Sequence, residues 1–246
     1  MEVLGPLLEW ADVVVENFSP GTMAKLGLDY ASIAAHNPSV VMVSGSVYGQ
    51  TGPLAQQWGV DGTGGALSGR TFLTGWPDRD PVIPGSVPYG DVIVPFVMAG
   101  TVCACLAKRM ETGKGAHIDA SMYEICVQQM SAAITATQTA GPPQRSGNDS
   151  PHWYRQGLWP ALGDDRWIAI SIRDAAQWKQ LSTLAGDKDI AAWTAGQEDY
   201  ALMQQLQAAG IAAGVVQDIE DTLAHDAGLA ARGALVNIPH KYLGSF

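Results

Sequence analysis

A predominantly apolar stretch from residue 92 to residue 107 follows directly on one carboxylate, Asp91, in the segment Pro88-Tyr89-Gly90-Asp91. A stretch of that length reads as a buried helix, which needs layers of structure around it and places an acid at its start. An Asp there accepts hydrogen bonds from the unpaired N–H groups of the first turn and is favoured by the positive end of the helix dipole. Capping alone would account for it. The stretch is shorter than the roughly 20 residues that span a bilayer, so no membrane segment is expected. Met1 is not followed by a basic region and an apolar one, so no secretory signal is expected either. These readings point to a cytoplasmic protein.

The rest of the chain reads as an α/β fold in two lobes. Val13-Val14-Val15 and Val40-Val41-Met42-Val43 are short β-branched runs separated by a helical stretch starting near Asp29, the alternation of a parallel sheet. Residues 52–90 are crowded with Pro, Gly and Trp and read as a long irregular connection with a functional purpose. After the apolar helix come a Thr-Gly-Lys-Gly turn, an extended stretch at residues 117–121 and a helix reaching about Ala140. Residues 141–148, rich in Gly and Pro, mark a boundary. Beyond it, residues 166–172 alternate like a half-buried strand, helices are expected at 174–185 and 198–209, and an apolar strand near 214–217. The expected domains are a large one at 1–145, a small α/β one at 146–232, and at 233–246 the start of a segment returning to the large domain.

With 246 residues, 47% of them hydrophobic, the chain can bury a sizeable core. A net charge of −10 disfavours nucleic acid, whose phosphates require a basic face. Cys103, Cys105 and Cys126 are an odd number of thiols without CxxC spacing and read as buried and reduced. His36, His117, His152, His225 and His240 are scattered, without metal-ligand spacing. Residues 62–67 begin like a dinucleotide fingerprint but lack its last glycine and its strand. Lys108 to Lys114 read as a solvated helix end followed by a glycine turn.

Several strings, taken together and in order, resemble the family III CoA-transferases of the CaiB/BaiF type. They are Ala11-Asp12-Val13-Val14-Val15-Glu16-Asn17-Phe18-Ser19-Pro20-Gly21 with Lys25-Leu26-Gly27-Leu28; Ser44-Gly45-Ser46-Val47-Tyr48-Gly49-Gln50-Thr51-Gly52-Pro53; Gly59-Val60-Asp61; Tyr89-Gly90-Asp91 with residues 108–121; and residues 210–216 and 229–233. The resemblance implies an incomplete Rossmann-like large domain plus a smaller α/β domain. It also implies a chain without the family's usual N-terminal segment and C-terminal return segment.

The same resemblance implies an enzyme that moves CoA from an acyl-CoA thioester to a carboxylic acid through a covalent aspartyl intermediate on Asp91. CoA and acyl-CoA are then substrates, with no tightly bound cofactor. It assigns Asn17, Phe18, Lys25, Tyr48 and Asp61 to CoA. Where some relatives carry a glycine-rich loop, this chain has Trp153, Tyr154 and Arg155, which suit either an acceptor pocket or an aromatic-packed linker. Two alternatives stand beside it. One is an α-methylacyl-CoA racemase of the same family, although Val60 replaces the histidine that such an enzyme uses as one of its two proton-transfer groups. The other is a non-catalytic or truncated subunit of a hetero-oligomeric transferase. The expected assembly is a homodimer or a heterodimer with a related subunit, without nucleic acid or membrane.

Overall fold

The computed structural model describes residues 3–83, 88–186 and 188–245. The chain divides between Gly147 and Asn148 into two units. The first contains, in order, α1 (Leu4–Trp10), β1 (Val13–Glu16), α2 (Thr22–Lys25), α3 (Tyr30–Ala34), β2 (Val41–Ser46), α4 (Asp61–Leu67), α5 (Arg70–Leu73), α6 (Tyr89–Thr112), β3 (Ala116–Ser121), α7 (Met122–Gln129) and α8 (Ser131–Ala140). Its sheet is parallel, ordered β1-β2-β3, with Val13 opposite Val41 and Val41 opposite Ala116. The central strand is apolar on both faces and completely buried from Val41 to Val43, as a parallel strand covered on each side must be.

Local chemistry fixes the connections. Asp29 caps α3, its carboxylate accepting the Ser32 N–H at 3.1 Å and the Ser32 hydroxyl at 3.0 Å. Gly113, at φ +68°, ends α6 with its N–H on the Arg109 carbonyl at 2.7 Å. Arg109 in that last turn holds the Asp12 carboxylate at 2.8 Å and the Ser39 carbonyl at 3.2 Å, so it ties the helix end to the strand entries. A side chain at Gly115 would collide with the Val40 carbonyl beside it.

Four expectations need revision. Residues 52–90 are not a wholly irregular connection: among the described residues before α6 they contain the short helices α4 and α5. The helix after β3 is two helices, broken at Met130. The helix expected to be buried, α6, is largely exposed within the described residues: only Gly90 and Val94 are buried, while Phe96 is 75% and Met110 89% exposed. Of the three thiols Cys126 is buried, Cys105 half-buried and Cys103 exposed. Helix α6 also outruns the apolar stretch that announced it. At 24 residues, with a mean hydropathy of 1.9 over 18 of them, it is the one helix among the described residues long and apolar enough to cross a membrane. It packs on β2, β3, α4 and α7 along one side only.

The second unit contains β4 (Arg155–Pro160), β5 (Trp167–Ile172), α9 (Ala175–Leu184), α10 (Ile190–Thr194), α11 (Asp199–Ala208), β6 (Ala212–Val215), α12 (Ile219–Ala224), α13 (Ala227–Arg232), β7 (Pro239–His240) and β8 (Gly244–Ser245). The strands β4, β5 and β6 form an antiparallel sheet in that order; the last lies two residues earlier than its apolar run suggests. On β5, Ile168, Ile170 and Ile172 alternate inward and pack with Leu181, Leu202, Leu206 and Ile211. Residues 239–245 form the short antiparallel pair β7–β8, with Pro239 opposite Ser245 and His240 opposite Gly244.

Candidate active site

Three loops and the start of α6 enclose a cleft of about 1190 Å³ in the first unit. The first loop leaves β1 at Glu16, whose buried carboxylate accepts the Phe18 N–H at 2.8 Å and turns the chain so that Asn17 and Phe18 face the cleft. The second loop, after β2, is fastened from beneath. Asp119 of β3 accepts the Gln50 N–H with both oxygens, at 2.9 and 3.0 Å, and Tyr123 donates its N–H to the Val47 carbonyl at 2.9 Å. Tyr48 of this loop lines the cleft but is buried, edge-on to Tyr123 with ring centroids 6.1 Å apart.

The third wall is the entry to α4. The Thr63 hydroxyl accepts the Val60 N–H at 2.9 Å and donates to the Val60 carbonyl at 2.8 Å, which leaves the Val60 side chain exposed on the cleft. Asp61 lines the cleft but is 7% exposed. Its carboxylate accepts the N–H of Gly90 at 2.5 Å and lies 3.7 Å from the Arg70 guanidinium. Gly90 has to be glycine, since a Cβ there would strike the Asp61 carboxylate and Met122.

Asp91 follows in the first turn of α6. Pro88 is the N-cap residue, so Asp91 stands three positions inside rather than at the cap itself. Its carboxylate is exposed on the cleft and makes no hydrogen bond or ion pair with any described residue. The capping explanation therefore does not account for it. Pro95, on the same wall, has no N–H to give the Asp91 carbonyl one turn back, so the backbone around Asp91 lacks a rung of the helix ladder.

The cleft thus brings together Asp91, Asn17, Phe18, Tyr48 and Asp61. Lys25, at the end of α2, is exposed and is not among its walls, nor are Lys108, Arg109 and Lys114. The described walls carry three carboxylates, Glu16, Asp61 and Asp91, and no Lys or Arg. Trp153, Tyr154 and Arg155 belong to the second unit. There Arg155 opens β4, its guanidinium 4.2 Å from the centre of the Trp178 ring, in a pocket of about 310 Å³ shared with Trp159 and Lys188. Trp153 and Tyr154 are exposed. Sequence reasoning missed Glu16, Arg70 and Asp119 as the groups that shape the walls. For Asp119 a signal existed, in the strand string just before Ser121. For Arg70 there was none, because its role depends on how a glycine-rich segment coils.

The sequence profile of CoA-transferase family III matches residues 1–190. The chain belongs to that family. It is 38% identical over 182 residues to an acetyl-CoA:oxalate CoA-transferase of Acetobacter aceti, covering 74% of this chain and 46% of that one. It is 32% identical over 181 residues to the alpha subunit of a succinyl-CoA–L-malate CoA-transferase of Chloroflexus aurantiacus, covering 72% and 41%. The chain therefore spans less than half the length of these curated relatives. Among solved structures, a CaiB/BaiF family protein from Brucella suis superposes with a TM-score of 0.85 at 28% identity, over 97% of this chain and 68% of that one. The fold is accordingly the α/β fold of the CaiB/BaiF proteins.

Proposed function

We propose that this chain carries the chemistry of CoA transfer between an acyl-CoA and a carboxylic acid, with Asp91 as the nucleophile. The observation that supports it most is a carboxylate without a partner, presented to a large cleft from the first turn of a 24-residue helix. One Asp91 oxygen attacks the thioester carbonyl; the C–S bond breaks, giving a mixed anhydride and the CoA thiolate. The thiolate attacks the aspartyl carbonyl of the anhydride, releasing the donor acid and leaving an aspartyl-CoA thioester. The acceptor carboxylate repeats the two steps in reverse order and Asp91 is regenerated. Each difficult exchange becomes two easier acyl transfers.

The walls made by Phe18, Val43, Val94 and Met98 suit the neutral arm of CoA, and Asn17 and Tyr48 stand beside it. Val60, exposed where a racemase would need a proton donor or acceptor, favours transfer over racemisation. A small acid is the acceptor in this reading, and Arg155 with its neighbours Trp153 and Tyr154 is the group assigned to select it. The reading includes assembly with a second copy or a related subunit, in keeping with a relative named as an alpha subunit. It also includes a cytoplasmic location, which suits three free thiols.

Asp91→Asn removes no contact and should fold as the parent does while losing CoA transfer. Acyl-CoA should leave a hydroxylamine-sensitive adduct on the Asp91 peptide of the parent and none on the variant. Full turnover by Asp91→Asn would refute the assignment. Exchange of the α-hydrogen of a chiral 2-methylacyl-CoA in deuterated water, dependent on Asp91, would move it to racemisation.

A further inference from the structure

Arg70 is the first residue of α5, and its guanidinium meets two side chains that bear on Gly90, the residue that precedes the nucleophile. On one side it is 3.7 Å from the Asp61 carboxylate, which holds the Gly90 N–H. On the other it stacks on the Tyr89 ring, 4.5 Å from its centre. The side chain is only 11% exposed, and its Nε and Nη1 are buried without a hydrogen-bond partner. Room for it is made by Gly65 of α4, where an added Cβ would come within 2.5 Å of Nη2 and 3.3 Å of Cζ.

Keeping a guanidinium buried with two unmade hydrogen bonds is costly, and a fold under selection for stability alone would replace it. What Arg70 provides is local. Asp61 without it would be a buried carboxylate with one backbone donor and no counter-charge, bound to the residue before Asp91 in a cleft whose described walls carry no cation.

We propose that Arg70 is a positioning residue for Asp91, acting through Asp61 and Tyr89. Through the Asp61 carboxylate and the Tyr89 ring it fixes the Tyr89-Gly90-Asp91 turn, and it offsets the charge of Asp61, so that the nucleophile is held at one attack geometry beside a neutral pair. The proposal rests on the assignment of Asp91 as nucleophile. Orientation errors of about 1 Å cost on the order of 100-fold in rate, so the signature is slow chemistry with intact binding.

The test is single-turnover formation of the Asp91 adduct from acyl-CoA, with CoA affinity measured in parallel. The parent comes first: no adduct on its Asp91 peptide would remove the nucleophile assignment, and this proposal with it. Given the adduct, Arg70→Gln should form it about 10- to 100-fold more slowly, with CoA affinity within about 2-fold of the parent. The double variant Arg70→Gln/Asp61→Asn should be no slower than the slower single variant, because both act on one turn. Gly65→Ala, which keeps the arginine but crowds its guanidinium, should show the same slow chemistry, and it decides the matter should Arg70→Gln fail to fold. Parent-like adduct formation in a folded Arg70→Gln or in Gly65→Ala, a matching loss of CoA affinity, or additive effects in the double variant would overturn the proposal while leaving Asp91 as nucleophile.

Discussion

Two cysteines on different helices show how environment separates identical residues. Cys103 is exposed on the cleft wall formed by α6, three turns beyond Asp91; Cys126 in α7 is completely buried, and desolvation pushes its thiol above the ordinary range. Thiolate is the reactive form. A thiol-alkylating reagent should therefore modify Cys103 and spare Cys126 in the folded protein, and saturating CoA should slow the Cys103 reaction several-fold if CoA occupies the cleft. Peptide mapping with and without CoA reads both outcomes; equal labelling of the two residues would contradict the burial described. At this scale the sequence was informative where a polar residue stands at the head of an apolar stretch, as Asp91 does. It was silent where a residue works only through its neighbours: Arg70 looks like any charge in a glycine-rich loop until Gly65, Asp61 and Tyr89 close around it.

Among the elements, β2 was legible because a short apolar run rich in valine, Val40-Val41-Met42-Val43, favours a buried strand. Helix α4 was not, since Asp-Gly-Thr-Gly-Gly-Ala-Leu has poor intrinsic helix propensity and owes its form to packing on α6 and α7. In α6 the length of the apolar stretch gave the helix but not its exposure, which depends on what surrounds it. Pro95 is the element's weak point. Restoring an N–H by Pro95→Ala returns a hydrogen bond to the Asp91 carbonyl and removes a ring from a helix interior, where proline costs about 3 kcal/mol. Pro95→Ala should raise the free energy of unfolding by about 1–3 kcal/mol, read from denaturant titration. A decrease would mean that the ring's packing in the cleft outweighs the lost hydrogen bond.

For the whole molecule, each unit carries a charge arrangement with a measurable consequence. The second is pinned by Arg166, which holds the Asp199 and Asp221 carboxylates at 2.6 Å each and so joins the approach to β5 to α11 and α12. The hydrogen bond from Arg166 is the chief reason the Asp221 carboxyl titrates below its ordinary value. A lowered folded-state value stabilises at pH above the unfolded value, about 3.9, and that stabilisation disappears as pH falls through the folded one. Asp221→Asn should therefore lower the melting temperature at pH 7, and the gap from the parent should close as pH drops below about 3.9. Emission from Trp193 and the other tryptophans of that unit follows the transition; a gap independent of pH would assign the loss to packing instead. The first unit has a cleft whose described walls carry no cation, and this bears on ionic strength. If Asp91 reacts as proposed, what lies inside the cleft is held without charge pairing. A truncated thioester lacking the nucleotide then acylates Asp91 at a rate that added salt leaves alone, whereas screening acts on whatever exposed cations meet the phosphates of intact CoA outside it. On that proposal the two halves of one substrate would be recognised by different forces, and a salt titration with each thioester separates them.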